Sequence, residues 1–269
     1  MKTILIQPFI ILAGIATTIA SLGLSVFSPV VVFKRDIFVP LAIAETALCG
    51  VIIGTVVGIN FYLTAIVFSL ITILLLFSIK TNKSLPQETV IAIVYVFASA
   101  LSIIALSKSP VLHSQATDVL FGNVLTVGQY ETWFSLITTL ISLTTLFLLY
   151  GKFVFAFSDI ETAKSCGLNV GLLNFIFYSI LSLIITASIK ILGLLLTFSY
   201  LLLPTTVASL VSCRSLKSTT LFGVISSLIS TWIGFILSVY LDTPTGPTIV
   251  ITFLLVISVI YFIKKIFKL

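Results

Sequence analysis

Residues 158–167 read S-D-I-E-T-A-K-S-C-G, a polar stretch in a chain that is otherwise almost entirely apolar. About twenty residues of apolar sequence flank it on each side, the length that crosses a bilayer as a helix. Ser158 and Glu161 have the spacing of a capping box, which satisfies backbone N–H groups at a helix start. Gly167 stands where such a helix would end, because glycine accepts a left-handed conformation at low cost. The stretch therefore predicts a short, capped helix held in water between two membrane spans; the alternative is an ordinary connecting loop.

The composition excludes most soluble classes of protein. Of 269 residues, 59% are hydrophobic and 8% are charged, too few charges to cover a water-soluble domain. A membrane β-barrel would show short alternating segments instead. The net charge of +6 comes from basic residues at the ends of apolar runs and does not indicate nucleic-acid binding. The sequence contains no P-loop, so ATP hydrolysis by this chain is not predicted. It also contains no Cys-x-x-Cys pair, so a zinc cluster is not predicted.

The apolar runs predict an all-α membrane protein, a polytopic bundle of about nine transmembrane helices in a single domain over residues 1–269. If the second span is a broken or tilted helix, eight full spans remain. The predicted spans are Ile4–Val32, Phe38–Val57, Phe61–Ile79, Thr89–Leu106, Trp133–Leu149, Leu172–Ala187, Leu192–Val211, Thr219–Tyr240 and Thr248–Ile263.

The distribution of basic residues predicts the orientation of the chain. Of the 14 Lys and Arg residues, all but Lys2, Lys108 and Lys190 follow odd-numbered spans. Because cytosolic loops are enriched in Lys and Arg, the N-terminus is expected outside and the C-terminus inside. The same orientation places the polar stretch 158–167 in the cytosol.

Glu45 is the one ionisable side chain near the middle of any predicted span. A charge at that depth is costly, so Glu45 should face protein, a partner or water. Cys49 lies one helical turn later on the same face, and a carboxylate with a thiol could contact a divalent cation in transit. The alternatives are a glutamate that fixes helix packing and a cysteine that is simply a small apolar residue. This second span also has a repeated G-x-x-x-G spacing at Gly50, Gly54 and Gly58, which predicts a strip for helix packing; the alternative is the lining of a narrow path.

Two further segments interrupt the apolar pattern. The longest outside loop, 107–130, holds the single histidine, His113, and also Asp118, and then becomes apolar over residues 120–125, too short a run to cross a bilayer. That run predicts a half-helix dipping into the outer face, which is tolerated where protein or a water path surrounds it. In the seventh span Pro204 interrupts helical hydrogen bonding, which predicts a kink or a hinge.

Four motifs in this order resemble the permease subunits of ATP-driven metal importers, the zinc, manganese and iron branch of the ABC transporters. Residues 120–125 resemble L-F-G-x-x-L, and residues 159–167 resemble the D-x-E-x-A-x-x-x-G coupling segment. Residues 192–208 resemble G-x-L-L followed by L-L-x-x-P-x-x-x-A, and residues 242–246 resemble a D-x-P-x-G turn. Together the motifs and their matching hydropathy cover most of the chain.

The resemblance implies a transport subunit of the bacterial inner membrane that is not itself an enzyme. Such permeases pair as homodimers, dock a cytosolic coupling helix onto a separate ABC ATPase and receive metal from an extracytoplasmic binding protein. No permanent cofactor is implied, and Zn²⁺ or Mn²⁺, with iron as a further option, would be the transported ion. By this resemblance, motion is transmitted by Asp159, Glu161, Ala163 and Gly167. The outer gate would lie near Leu120, Phe121 and Gly122.

The second span departs from the family pattern G-D-A-L-x-H-x-x-L-P-G, whose aspartate and histidine are candidate metal contacts. Leu41 stands in place of the aspartate, Glu45 in place of the histidine and Cys49 in place of the proline. A carboxylate favours manganese or iron and a thiol favours zinc, so the metal stays open.

Three other classes of function compete with this interpretation. A permease for a metal chelate, of siderophore or cobalamin type, would be longer and would usually have one more span at the start. An ion-coupled secondary carrier would need several buried ionisable groups, and an intramembrane enzyme would need a buried catalytic pair or a histidine-based metal site. The sequence offers Glu45 alone, which argues against the last two.

Overall fold

The computed structural model describes residues 8–78, 86–107, 122, 127–211 and 215–267. Within these ranges the chain is helical and forms no strand. Eight helices are long and apolar enough to cross a membrane, and α6 is a short helix between two of them. The predicted all-α membrane bundle is therefore confirmed. The helices are α1 (Pro8–Phe33), α2 (Phe38–Val57), α3 (Phe61–Ser78), α4 (Gln87–Ser107), α5 (Gln129–Ser158), α6 (Ile160–Ser165), α7 (Val170–Leu210), α8 (Leu216–Leu241) and α9 (Thr245–Phe267).

The short interval between the second and third predicted spans, residues 58–60, forms a tight turn that begins at Gly58. This glycine has a left-handed backbone (φ 77°), and its N–H donates to the carbonyl of Gly54. Because that conformation carries a steric penalty for residues with a Cβ, glycine ends α2 and lets α3 begin at Phe61.

The fifth predicted span ends too early, at Leu149. Helix α5 continues to Ser158. Lysine is a good helix former, so Lys152 does not end the helix, and the residues that follow it up to Phe157 are all apolar. Lys152 therefore lies on α5 rather than after it.

The sixth and seventh predicted spans lie on the same helical element. Helix α7 has 41 residues and would be about 60 Å long if straight, roughly twice the hydrocarbon thickness of a bilayer. Its backbone leaves the helical region at Gly193 (φ 77°, ψ 168°), which lies at the junction of the two predicted spans. The nine predicted spans and the eight membrane-crossing helices differ at this place. The orientation with the N-terminus outside rests on counting two spans here and stays a prediction.

The chain divides into two compact units, and the prediction of a single domain stays a prediction. One unit comprises residues 34–116 and 140–186. In it α2 packs against α3 and α4, and most residues of α2 are buried. The first half of α7 and the short helix α6 belong to this unit.

The other unit comprises residues 1–33, 117–139 and 187–269. Helices α1 and α9 each pack against α8. Buried hydroxyl groups join α7 to both α1 and α8, since Ser28 bonds to Thr205 at 2.7 Å and Tyr200 bonds to Thr231. These bonds satisfy polar groups that would be costly to leave unpaired in an apolar interior.

Candidate functional site

The polar stretch between α5 and α7 folds as the predicted short helix, α6, with a side chain closing its N-terminus. Asp159 has an extended backbone, and its Oδ1 accepts from the backbone N–H groups of Glu161 and Thr162, both at 3.1 Å. The Thr162 hydroxyl donates to Oδ2 of the same carboxylate. These bonds, the Thr162 hydroxyl first, hold the pKa of the Asp159 carboxyl below its ordinary value. The carboxylate is therefore ionised at neutral pH and complements the positive end of α6.

The predicted capping residue was wrong by one position. Ser158 is the last residue of α5, and its hydroxyl donates to the carbonyl of Val154 at 2.7 Å. Its backbone is therefore helical, while a capping residue needs an extended backbone, which the next residue, Asp159, adopts.

The C-terminus of α6 ends in a Schellman motif. Gly167 is left-handed (φ 80°), its N–H donates to Lys164 at 3.0 Å, and the N–H of Leu168 donates to Ala163 at 3.1 Å. Ala163 is fully buried, whereas the residues on either side of it are exposed. Both ends of α6 are thus capped. Ala163 is its one buried residue, and its other residues are exposed.

Glu45 and Cys49 lie on the buried face of α2 that meets α4. The hydroxyl of Ser99 donates to Oε1 of Glu45 at 2.6 Å, and Cys49 is buried one turn further along α2. Glu45 is only 5% exposed. A buried carboxylate needs such a donor, so the Ser99 contact is at least a packing contact between the helices. In the described part of the chain no three His, Cys, Asp or Glu side chains group closely enough to hold a metal ion.

Two of the three glycines on α2 permit close contact with α3. A Cβ at Gly50 would lie 2.6 Å from the Cα of Ala65, and one at Gly54 would lie 2.2 Å from Oγ1 of Thr64. Gly58 has open space around it and ends the helix instead. The strip therefore brings the backbone of α2 against that of α3 through Gly50 and Gly54.

Of the residues expected near the outer gate, the structure describes Gly122; Leu120 and Phe121, like His113 and Asp118, lie outside the described residues. Gly122 is buried and left-handed (φ 75°). A Cβ there would lie 2.2 Å from the carbonyl oxygen of Leu192, beside the break at Gly193. Gly122 therefore lies directly against the interrupted backbone of α7.

The interruption of α7 is at Gly193 and not at Pro204, where the sequence predicts a kink or a hinge. Pro204 is buried and lies against Gly223 of α8, where an added Cβ would approach its side chain to 3.2 Å. A hinge at Pro204 stays a prediction.

No sequence pattern indicated the polar cluster beside α6, in which Lys34 and Asp36 are half-buried and Tyr178 is buried. The Nζ of Lys34 donates to the Tyr178 hydroxyl at 2.8 Å and lies 2.9 Å from Oδ2 of Asp36, and the Tyr178 hydroxyl donates to that oxygen at 2.8 Å. Burial lowers the pKa of Lys34, while the charge and hydrogen bond of Asp36 oppose this shift. The charges of Lys34 and Asp36 are visible between two spans, but Tyr178 lies within an apolar run and carries no such signal.

A second ion pair was also not predicted. The Nζ of Lys190 donates to Oε1 of Glu131 at 3.0 Å, and Oε2 of Glu131 accepts from the N–H of Gly128 at 3.1 Å. The pair joins the start of α5 to α7 close to Gly193. Its residues are far apart in sequence, so no local pattern could indicate the pairing.

The sequence and fold are similar to those of known transport proteins. Residues 6–265 match the model of the ABC 3 transport family. The manganese transport system membrane protein MntC of Halalkalibacterium halodurans is 28% identical over 213 residues, 78% of this chain and 72% of that protein. The zinc uptake system membrane protein ZnuB of Haemophilus influenzae is 26% identical over 250 residues, 92% of this chain and 94% of that protein. The solved structure of PsaBC from Streptococcus pneumoniae in complex with Fab has a TM-score of 0.86 at 21% identity, covering 95% of this chain and 92% of that one.

The family match spans nearly the whole chain, and eight helices of the described residues are apolar enough to cross a membrane. The protein is thus a multi-pass protein of the bacterial inner membrane. From the match over residues 6–265, the chain belongs to the ABC 3 transport family.

Proposed function

We propose that this chain is the permease subunit of an ATP-driven importer of a divalent metal ion, Zn²⁺ or Mn²⁺. The observation that carries the proposal is the similarity over most of the chain to membrane proteins named for manganese transport and for zinc uptake. The metal is the transported substrate and not a resident cofactor.

Helix α6 is proposed to dock onto a separate ABC ATPase. An element that transmits force between subunits must be exposed yet fixed in shape. The exposed residues of α6, the Asp159 cap and the Gly167 motif meet both requirements. Buried Ala163 would fix α6 to the membrane-spanning part, while exposed Glu161 would face the ATPase.

Glu45 is proposed to contact the metal during its passage. Its carboxylate is buried within the membrane-spanning part, and one oxygen, Oε1, is oriented by Ser99. A divalent ion needs more ligands than one carboxylate, and a second copy of the chain, paired as a homodimer, would supply a second Glu45. Cys49, one turn further along α2, is proposed as an additional soft contact that would favour Zn²⁺.

An extracytoplasmic metal-binding protein is proposed to deliver the ion to the outer face, near residues 120–122. The support from the structure is Gly122, whose backbone lies against the break in α7. A contact this close would couple any movement at the outer segment to α7.

The test is metal uptake by metal-starved cells that express the permease with its ATPase and binding protein. Labelled Zn²⁺ and Mn²⁺ are compared for the native chain, Glu45→Ala and Glu45→Gln. The control is Thr46→Val, which alters a neighbouring buried hydroxyl that bonds within α2 to the carbonyl of Ile43. We expect uptake of one metal, reduced at least tenfold in both Glu45 variants and retained in the control, as loss of a charge-assisted metal contact predicts.

The outcomes separate the parts of the proposal. Uptake that is unchanged in both Glu45 variants would keep the importer and leave Glu45 as a packing residue. No uptake of either metal by the native complex would overturn the zinc or manganese assignment, and iron and metal chelates would be tested next.

A further inference from the structure

The Lys34–Asp36–Tyr178 cluster joins elements that are distant in sequence. Lys34 and Asp36 lie in the turn between α1 and α2, and Tyr178 lies on α7, two turns after its start. The three polar groups form a closed triangle with sides of 2.8, 2.8 and 2.9 Å. Each polar group is hydrogen-bonded or ion-paired with the other two. The turn before α2 is therefore fixed to α7, the helix that follows α6.

Aromatic rings enclose the ammonium group of this cluster. The Nζ of Lys34 lies 4.2 Å from the ring centroid of Tyr178 and 4.8 Å from that of Phe157, within the range of cation–π attraction. Phe157 lies in the last turn of α5, immediately before α6, and packs edge-on against Phe177 of α7. The Lys34 side chain therefore contacts both of the helices that flank α6.

The backbone of the turn is strained in a way that brings the two charges together. Arg35 has a left-handed conformation (φ 61°), which is uncommon for a residue with a long side chain. Arg35 itself is exposed, while Lys34 and Asp36 on either side of it are partly buried. Such strain persists where the surrounding contacts hold the conformation, here the contacts of Lys34 and Asp36.

A cavity lies between this cluster and α6. Its volume is about 320 Å³, and its lining includes Lys34, Asp36, Asn174 and Ile160, the first residue of α6. The Oδ1 atom of Asn174 is buried without a hydrogen-bond partner. The cavity leaves room for Ile160 to move against the cluster.

We propose that Lys34, Asp36 and Tyr178 are positioning residues that pass the displacement of α6 to α2, the helix that carries Glu45. The inference rests on the proposed function, in which α6 docks onto an ATPase. Phe157 lies two residues before Asp159, the cap of α6, and shares the lining of the cavity with Ile160. From Phe157 the contacts run through Lys34 to Asp36, which lies two residues before α2. With the cluster broken, the ATPase would move α6 without moving α2, and hydrolysis would lose its coupling to transport.

The test uses the full complex in proteoliposomes and measures the number of ATP molecules hydrolysed per metal ion transported. The variants are Lys34→Met, Asp36→Asn and the double variant, with Lys34→Arg as the conservative replacement. The matched control is Arg35→Ala, which removes a positive charge from the same turn but lies outside the cluster. We expect the ratio to rise by roughly three- to tenfold in both single variants, to stay native in the control and to recover in Lys34→Arg.

The double variant distinguishes a specific pair from two separate defects. Asp36→Asn leaves a largely buried ammonium without its counter-charge, so removing Lys34 as well should reverse part of the loss in melting temperature, while the ratio of ATP hydrolysed to metal transported stays raised because the cluster is still broken. Melting temperatures of the same complexes serve as the control for folding. A lower melting temperature with a native ratio in the folded fraction would overturn the positioning role and leave a structural one.

A second measurement does not depend on the metal. Cys166 is an exposed thiol directly after α6, and Cys49 is buried, so a spin label can be placed at Cys166 once Cys213 is replaced by serine. We expect the label to become more mobile in Lys34→Met and Asp36→Asn and to stay native-like in Arg35→Ala. Mobility and coupling that both match the control would refute the inference. If the native complex transports neither Zn²⁺ nor Mn²⁺, the metal assignment fails, and label mobility alone decides on the cluster.

Discussion

Two carboxylates of this chain, Asp159 and Glu45, are held in opposite ways. Asp159 is exposed and receives three hydrogen bonds, all from residues within three positions of it in the sequence. Glu45 is buried on α2 and is oriented by Ser99, a residue of another helix. The first arrangement is local and the second is tertiary.

The difference determines how each site can respond to its surroundings. The Asp159 cap forms with α6 and keeps its geometry while the helix moves as a unit. The Glu45 contact depends on the distance between α2 and α4, so a shift between these helices would release the carboxylate. Under the proposed function, α6 would be the element of fixed shape and Glu45 the binding group whose surroundings can change.

The largest effect is expected from a change at the C-terminal end of α6, opposite the Asp159 cap. In Gly167→Pro, proline fixes φ near −65°, whereas Gly167 has φ 80° and donates its N–H to Lys164. We expect α6 to lose its C-terminal motif and the permease to lose its ATPase on co-purification. Gly167→Asn is the control, since asparagine tolerates the left-handed region. Equal loss in both variants would show that any side chain at 167 blocks docking, whatever the backbone conformation.

The next largest effect is expected from a change at Gly50, on the helix that carries Glu45. In Gly50→Ala the new Cβ would lie 2.6 Å from the Cα of Ala65, so α2 and α3 must separate. Overpacking of this kind costs about 1–3 kcal/mol. We expect a lower melting temperature in detergent and reduced metal uptake. Gly14→Ala is the control, because its Cβ would have ordinary contacts at 3.5 Å and beyond; an equal loss of stability there would contradict the packing explanation.

The same contrast explains which features were predictable from the sequence. The membrane spans, the turn at Gly58 and the short helix α6 follow from hydropathy and from residues close together in the chain. Ser99 and Tyr178 are indistinguishable from other residues of apolar helices until the fold brings them to Glu45 and Lys34. Sequence patterns indicated the buried carboxylate but not the partner that orients it.

The error in the capping residue of α6 has a physical reason of its own. Ser158 and Asp159 are both capping residue types, and only the length of α5 decides which of them has the extended backbone. The place where the backbone of α7 leaves the helical region was not predicted either. It is at Gly193, and the backbone of Gly122 lies against the neighbouring Leu192 so closely that no side chain at position 122 would fit.

Ser99→Ala removes the hydrogen-bond donor to Glu45 and leaves the Asp159 cap unchanged, so it tests the tertiary contact by itself. Glu45 would remain buried without the hydroxyl that now lies 2.6 Å from its Oε1. Leaving a buried acceptor unsatisfied costs about 1–3 kcal/mol, so a lower melting temperature is expected. Uptake should fall less than in Glu45→Ala, because the carboxylate is still present. Ser107→Ala is the control on the same helix, since that hydroxyl is exposed and bonds locally to Ile104; a matching loss there would argue against a specific role for Ser99.

Replacement of Asp159 should give the smallest effect if its amide analogue is used. Asp159→Asn keeps a side-chain oxygen that can accept from the backbone of Glu161 and Thr162, whereas Asp159→Ala removes it. ATPase affinity, measured by titration of the labelled partner, should therefore fall clearly in the alanine variant and little in the asparagine variant.

Because hydrogen bonds from Thr162 keep the pKa of the Asp159 carboxyl below its ordinary value, the ionised cap is fully present above the ordinary pKa and is lost only as the pH falls through the lowered one. Affinity of the native chain should accordingly show no dependence on this residue near neutral pH. An equal loss of affinity in Asp159→Asn and Asp159→Ala would mean that the negative charge of Asp159, and not only its capping oxygen, is needed for docking.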